Sequence, residues 1–325
     1  MSDQSFGRIV KLRVYATNET LTAPGDEALV SYTNGYTEFS SVVDTQTVYG
    51  QVVGSPGYRI KGKVTLVAPT VGVGTNPITF SIFNLGEHSR NLICSKIGTR
   101  VEIFAGYGAS IRQIALGDIL WARTQKIGAD FITEVIAGDS HFALANGEIN
   151  QSFEGPVAYI QVVNAITDAL ATMGMYKGTI DVPTGSFNTG YVLTGSPMVR
   201  LHEVCKTINR QVTFVGNQIN ILPIGQDAGL PTIEVSVDTG LVGIPEVHPP
   251  GVIGVVPTGV PVTPQVGLSF KHLMRPEIGL AQKVKIKSKF VNGEYVVSRV
   301  VHDFDSWEGP FYTECECFIP GAANG

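Results

Sequence analysis

Charge is scarce in this chain. Only 16% of the residues are Asp, Glu, Lys or Arg, the net charge is -5, and no stretch is strongly basic. Electrostatic capture of nucleic acid needs clustered Lys and Arg, so that mode of function is not expected. Cysteine is scarce as well: Cys94, Cys205, Cys315 and Cys317 are scattered without zinc-ligand spacing. Cys315 and Cys317 lie two apart in an expected strand and share a face, but such neighbours seldom reach relaxed disulfide geometry. All four are expected as reduced thiols. No apolar run approaches the roughly 18 residues of a membrane span, and the opening MSDQSFGRIV lacks the basic, apolar and small-residue succession of an export signal. A chain folded in a reducing cytoplasm is expected, leaving it, if at all, by another route.

What is present is apolar and turn-rich. With 43% hydrophobic residues over 325 positions there is ample material for two or three cores. The 37 glycines and 18 prolines beside so little charge point to a β-rich chain with many turns, to apolar surface held against partner subunits, or to both. The strongest pattern is C-terminal. Lys283 to Phe290 reads as a strand, Asn292-Gly293 as a tight hairpin turn, Glu294 to His302 as a second strand and Phe311 to Phe318 as a third. Val284, Ile286, Tyr295 and Val297 alternate with Lys285, Lys287, Glu294 and Ser298, the signature of an antiparallel meander with one wet face. Val101 to Gly106, Arg112 to Thr124 and Asp130 to Gly138 repeat the style upstream, so one kind of β-domain is expected twice.

Between these stretches the period changes. Leu85, Leu92, Ile93 and Ile97 fit a short helix closed by Gly98, and residues 19–55 look like an extended loop or irregular hairpin. From Val157 to Met173, Ile160, Val163, Ile166 or Thr167, Leu170 and Met173 form a helical stripe, with Pro156 suited to its first turn and Gly174 ending it. Ser196-Pro197 caps a second helix with Met198, Leu201, Val204, Cys205 and Ile208 on one side, followed by a small hairpin at 211–222. Residues 243–267 are too rich in Pro and Gly for a helix or a central strand and are expected as a linker or an edge-hugging crossover on protein surface. The expected organisation is mainly β with a small α+β part: residues 1–152, a small α+β unit at 153–242, the linker at 243–267 and closing strands at 268–325.

The segment ITFSIFNLGEHSRNLICSKIGTRVEIFAGYG, the hairpin around Ile114-Ala115-Leu116-Gly117-Asp118-Ile119 and the C-terminal VKIKSKFVNGEYVVSRVVHDFDSWEGPFYTECE carry a resemblance. In their order and spacing they resemble baseplate hub proteins of contractile-tailed bacteriophages, of the tail hub or late control protein D type, over roughly residues 75–225 and 268–318. The matching positions are Asn84-Leu85, Arg90, Ala105-Gly106-Tyr107, Gly117, Gly293, Tyr295 and His302. The resemblance implies two tail-tube-like antiparallel β-barrel domains flanking a small α+β domain, assembled as a homotrimer. Three chains with two barrels each would give a six-fold-like ring facing a hexameric tail tube. It further implies a virion location, assembly in the bacterial host, a tail tube or tube-initiator protein, a central spike and other baseplate proteins as partners, and DNA passing through the channel. Residues 19–55 and 226–267 depart from the pattern.

Candidates for chemistry are weak. His88, His141, His202, His248, His272 and His302 show no metal-ligand spacing. His302-Asp303-x-Asp305 is better explained as a capped turn than as a metal or base site, and Asp139-Ser140-His141 cannot form a triad from adjacent strand residues. Cys205 shares the apolar stripe of its helix, and the glycine-rich pieces at 54–63 and 72–77 lack the context of a phosphate loop. Trp121, Trp307, Tyr107, Phe104 and Phe311 are spread over separate strands, which favours cores or subunit contacts over a sugar platform. No catalytic residue, cofactor or metal is expected. The expected functional surface is a near-neutral or acidic pore lining plus subunit contacts, with Val252, Ile253 and Val256 of the crossover as interface residues. A carbohydrate- or receptor-binding tail protein is the alternative; a peptidoglycan hydrolase is weaker, because no stretch is left to hold one.

Overall fold

The computed structural model describes residues 7–15, 36–48, 51–67, 76–95, 99–215, 217–251 and 265–319. The first part carries β1 (Arg8–Tyr15), β2 (Tyr36–Ser40), β3 (Val42–Val48), β4 (Gln51–Pro56), β5 (Ile60–Val67), β6 (Pro77–Phe83), α1 (Glu87–Ser95), β7 (Arg100–Tyr107), β8 (Arg112–Ile127) and β9 (Asp130–Gly138). The middle holds α2 (His141–Asn146), β10 (Ile149–Phe153), β11 (Val157–Ala158), α3 (Tyr159–Ala171), β12 (Tyr176–Ile180), β13 (Ser186–Phe187), β14 (Tyr191–Gly195), α4 (Pro197–Thr207), β15 (Arg210–Val215) and β16 (Gln218–Pro223). The last part adds β17 (Ile233–Ser236), a 3-10 turn at Val237–Thr239, β18 (Leu241–Gly251), β19 (Gln265–Leu273), β20 (Lys283–Lys287), β21 (Asn292–Asp305) and β22 (Phe311–Phe318).

The mainly β character expected from the sequence is what the chain adopts. One 13-stranded sheet runs β18-β19-β22-β21-β5-β6-β9-β8-β7-β1-β2, with β20 paired to β21 and β17 to β20. Each half of this path curls toward closure. In the first half, Gly57 and Tyr58 donate to the carbonyls of Ser41 and Ser40 at 2.8 and 3.0 Å, drawing the far end of β2 back to the start of β5. Only glycine fits at 57, since a Cβ there would stand 2.3 Å from the Ser40 carbonyl oxygen. In the second half, β17 and β18 end the path and are joined by the 3-10 turn, while Arg275 donates to the Glu234 carbonyl at 2.8 Å. One apolar core runs through both halves, from Val10, Leu12 and Phe80 to Val284, Phe304 and Phe311.

Register gives the repeat expected from the sequence its residue-by-residue form. β7-β8-β9 and β20-β21-β22 are both antiparallel meanders with a long central strand, and each is bulged at the same place, between Ile119 and Trp121 in one and between Val297 and Arg299 in the other. Matching the bulges puts Phe131-Ile132-Thr133-Glu134 on Phe311-Tyr312-Thr313-Glu314, Phe80 of β6 on Phe270 of β19, and Val101 and Ile103 on Val284 and Ile286. Thr133 and Thr313, now equivalent, are both fully buried.

The small unit has its own core, built on Val163, Ile166, Leu170, Leu201, Val204 and Phe214. That core takes in Ala143 and Ile149, ahead of the expected start at 153, and gives up Val235 and Leu241 to the large one. Its three-stranded sheet runs β12-β16-β15, with β12 and β16 parallel.

Several local expectations are corrected. Asn292-Gly293 is not the hairpin turn: Asn292 already pairs with Lys287, and the turn is Ser288–Val291. The Ser288 hydroxyl donates to the Val291 carbonyl at 2.8 Å and accepts from the Val291 amide at 2.9 Å, so a side chain closes a longer loop. Phe290, expected in the strand, sits in that turn and is exposed. Pro156 precedes β11 and lies outside α3, Ile160 faces solvent, and Val162 takes its place in the stripe. Pro197 does open α4, but the Ser196 hydroxyl makes no capping bond. Val42–Val48 and Gln51–Pro56 pair as an irregular hairpin, one of the two expectations for residues 19–55, and Tyr36–Ser40 adds β2 to the large sheet. Residues 243–251, expected in the linker, belong to β18, an outermost strand of the sheet where Pro245, Pro249 and Pro250 are tolerated for want of a second partner. Gly98 lies outside the described residues.

Candidate functional site: a charge-paired sheet face with two open edges

Alternation along the strands turns one side of the large sheet into the core and the other into a wide polar wall. Rows of this wall follow from the register. One runs Arg123, Glu134, Ser81, Lys61, Asp305, and the next Trp121, Ile136, Thr79, Lys63, Asp303, Tyr312, Leu273. Two shorter rows carry Thr65, Val301, Glu314, Lys271 and Val67, Arg299, Glu316, Ser269, Glu246.

Cations and carboxylates alternate across these rows and are mostly engaged with each other. Arg123 meets Glu134 at 2.9 Å, Lys271 meets Glu314 at 2.8 Å, and Arg299 meets Glu316 at 2.5 Å. Arg59, just before β5, holds Asp305 at 2.7 Å, and that hydrogen bond raises the basicity of its guanidinium. Lys61 lies over the Phe83 ring at 5.2 Å. Burial raises the pKa of the Asp303 carboxyl, while Lys63 opposite acts the other way. A phosphate approaching this wall finds each arginine or lysine of a pair already facing a carboxylate, which removes the main source of nonspecific DNA affinity. Exposed pairs like these contribute little stability.

Among the described residues the large sheet has open strand edges at β18 and along the outer half of β8, besides those of β2 and β17. β18 pairs only with β19. In β8, one edge meets β7 up to Asp118 and the other meets β9 from Asp118 to Ile127, so the β7-side edge from Trp121 to Ile127 has no strand partner. The β8 and β18 edges both carry exposed apolar side chains among polar ones: Trp121 38%, Ile127 52%, Ile244 62% and Val247 53%. Such edges invite pairing with another chain.

The residues singled out for chemistry go elsewhere. His302 is buried under the sheet with its Nδ1 3.0 Å from the Thr313 hydroxyl, and burial lowers its pKa to about 4. Asp305 accepts from the Trp307 and Glu308 amides at 3.0 and 3.3 Å, the capped turn that the sequence favoured. Asp139 bonds the Ser140 hydroxyl at 3.0 Å and the Asn76 amide at 3.3 Å, and Asn76 in turn reaches the Phe214 carbonyl at 3.2 Å; the pair ties the sheet to the small unit. Burial pushes the Cys205 thiol up to about 12 and raises those of Cys315 and Cys317 as well. Phe311 is fully buried with Tyr107 edge-on at 5.1 Å, whereas Trp121 lies on the wall and Trp307 in a loop, so these rings make no common platform. Val252, Ile253 and Val256 lie outside the described residues. Among the described residues no group of His, Cys, Asp and Glu is arranged to hold a metal ion, and no helix is long and apolar enough to cross a membrane. The open β8 edge was missed by sequence reasoning, because it depends on where β7 stops.

Comparison with known proteins bears on the fold first. The fold is that of tail proteins. A 43 kDa tail protein of prophage MuSo2 from Shewanella oneidensis is similar at a TM-score of 0.56 and 9% identity, over 87% of this chain and 97% of that one. The E. coli c3393 protein, described as a component of the type VI secretion system with structural similarity to T4 bacteriophage tail proteins gp27 and gp5, is similar at 0.54 and 9%, over 85% of this chain and 76% of that one. A chain of the Francisella PdpA-VgrG complex in its half-lidded form is similar at 0.56 and 5%, over 98% of this chain and 58% of that one. No curated protein matches the sequence. More narrowly, residues 225–317 match the family model described as baseplate hub gp41.

Proposed function

We propose that the protein is the structural hub of a contractile-tail baseplate, a homotrimer that joins the tail tube to the central spike and forms part of the DNA channel. The observation that carries this reading is the repeat: each chain holds two β-units of the same build side by side in one sheet, so three chains supply six around an axis. In this arrangement the charge-paired wall lines the pore, where DNA must slide without being held. The helices of the small unit project outward, since a tube wall needs unbroken strands. Assembly takes place in the host bacterium, and the particle's tail baseplate is the site of action. Its partners are the tube or tube initiator, the spike and other baseplate proteins. No side chain acts as a catalyst, and Val252, Ile253 and Val256 serve subunit contacts.

Light scattering on the purified chain tests this. A mass of three chains is expected; a monomer that binds sugar beads would favour the receptor-binding alternative instead. Charges placed at Val252, Ile253 or Val256 are expected to block particle assembly. Loss of infectivity from fully assembled His302→Ala particles would contradict a purely structural role. The likeness to the PdpA-VgrG chain also supports a hub in a related injection particle, distinguished by whether the purified particle carries DNA.

A further inference from the structure

The repeat makes one strand joint visible and leaves its counterpart open. Within the chain, the two halves meet where β21 pairs with β5: Asp305 opposite Lys61, Asp303 opposite Lys63, His302 opposite Val64, Val301 opposite Thr65. That edge of β21 is filled first by β20, up to Val296, and then by β5 from Arg299 onward. The equivalent edge of β8 is filled by β7 up to Asp118 and by no described strand beyond. Because Thr133 and Thr313 are equivalent, so are their partners: Thr124 corresponds to His302, Arg123 to Val301, Gln125 to Asp303 and Ile127 to Asp305.

The other side of the joint has an equivalent too. β5 pairs with β6 as β18 pairs with β19: Lys61 faces Ser81 and Val242 faces Lys271; Lys63 faces Thr79 and Glu246 faces Ser269; Val64 faces Ile78 and Val247 faces Leu268. An extra stretch, Gly243–Pro245, bulges where β5 has Gly62 alone. Val64 is fully buried, whereas Val247 is 53% exposed. The β18 residue that should lie under a neighbouring strand has none over it among the described residues.

We propose that β18 of one copy pairs antiparallel with the outer half of β8 of the next, in the register Ile127–Val242, Gln125–Glu246, Thr124–Val247 and Arg123–His248. This rests on the trimer reading and deepens it, for it names the strand contact between copies. The joint removes these two open edges, buries Val247 over Thr124, and continues the charge-paired wall from chain to chain. It ends near His248, because Pro249 and Pro250 lack the amides to extend a ladder.

Oxidative cross-linking of the full chain in a Cys94→Ser background decides the matter; the remaining three native thiols are buried. The pair Gln125→Cys with Glu246→Cys places both sulfurs on one face in directly opposed positions. It is expected to give a covalent ladder ending at three chains, while Gln125→Cys with Val247→Cys, on opposite faces, gives none. Val247→Asp is expected to abolish the trimer and leave a folded monomer, with Val192→Asp, exposed on β14 of the small unit, as the unaffected control. If the parent is trimeric and the matched pair fails to cross-link, or the mismatched pair links equally well, the joint is wrong and the trimer stands. A parent that stays monomeric and unlinked at every concentration overturns both.

Discussion

The meander β7-β8-β9 and its counterpart β20-β21-β22 share a register, a bulge and a buried threonine, yet they are finished differently. β21 has partners on both edges along nearly its whole length, and its core-facing residues are correspondingly large: His302 and Phe304 are fully buried. β8 carries Thr124 and Lys126 at the equivalent positions, and Lys126 is exposed. The difference teaches that completing a strand edge and filling the space beneath it go together. A half-open strand keeps small or polar residues there: α1 covers Thr124 through Cys94, but the open edge leaves Lys126 in water.

The sharpest way to break the comparison is at its largest side chain. Phe304→Ala should destabilise the chain by about 3–5 kcal/mol, whereas Lys126→Ala should stay within about 0.5 kcal/mol. Equal losses in denaturant titrations would mean that the two meanders are not finished differently at all. Next in size is acid sensitivity. The unfolded chain takes up a proton on His302 below pH 6.5, while the folded chain resists until about 4. Stability from this residue is therefore complete above 6.5, falls through that window, and levels off below it, by on the order of 3 kcal/mol in all. His302→Gln should flatten that part of the stability profile. Hydrogen exchange on the parent should show β21 and β22 opening before β8 and β9 as pH falls.

A smaller contrast concerns the paired threonines. Thr313 accepts from the Arg275 amide at 2.9 Å and touches His302, while the Thr133 hydroxyl, among the described residues, bonds that of Thr124 at 2.9 Å. Thr313→Val should cost about 1–3 kcal/mol by stranding a buried amide, and Thr133→Val about 1 kcal/mol or less. The smallest effect on stability is expected on the wall. Glu134→Gln with Glu314→Gln should change stability by less than about 1 kcal/mol yet increase retention of DNA, since Arg123 and Lys271 lose their carboxylates. Unchanged retention would show that charge pairing does not govern how the wall treats phosphate.

Much of this was legible in the residues. Alternation gave the strands of both meanders, and the stripe of Met198, Leu201, Val204 and Cys205 gave α4. The Asn292-Gly293 turn was misplaced because Ser288 and Asn292 side chains stabilise a different loop, a competition that local turn preference does not reveal. The edge strand β18 was obscured by its prolines, which rule out a central strand but not an outer one. The open edges, the heart of the candidate site, depend on pairing between distant strands and leave no local signal. The repeat was legible as two meanders of one style, but the equivalence of particular residues, Phe-x-Thr-Glu in β9 and β22 above all, appears only once register fixes which positions to compare.

The loop after β21 is fastened to the first half from several directions: Arg59 holds Asp305, Arg8 reaches the Gly309 carbonyl at 3.1 Å, and the Ser306 hydroxyl accepts from the Ile60 amide at 2.9 Å. The seam between β5 and β21 is thus riveted within the chain. In a ring of three copies, such riveted seams would alternate with seams held by strand pairing alone. Under load, such a ring would yield at every second joint and widen as three stiff double segments.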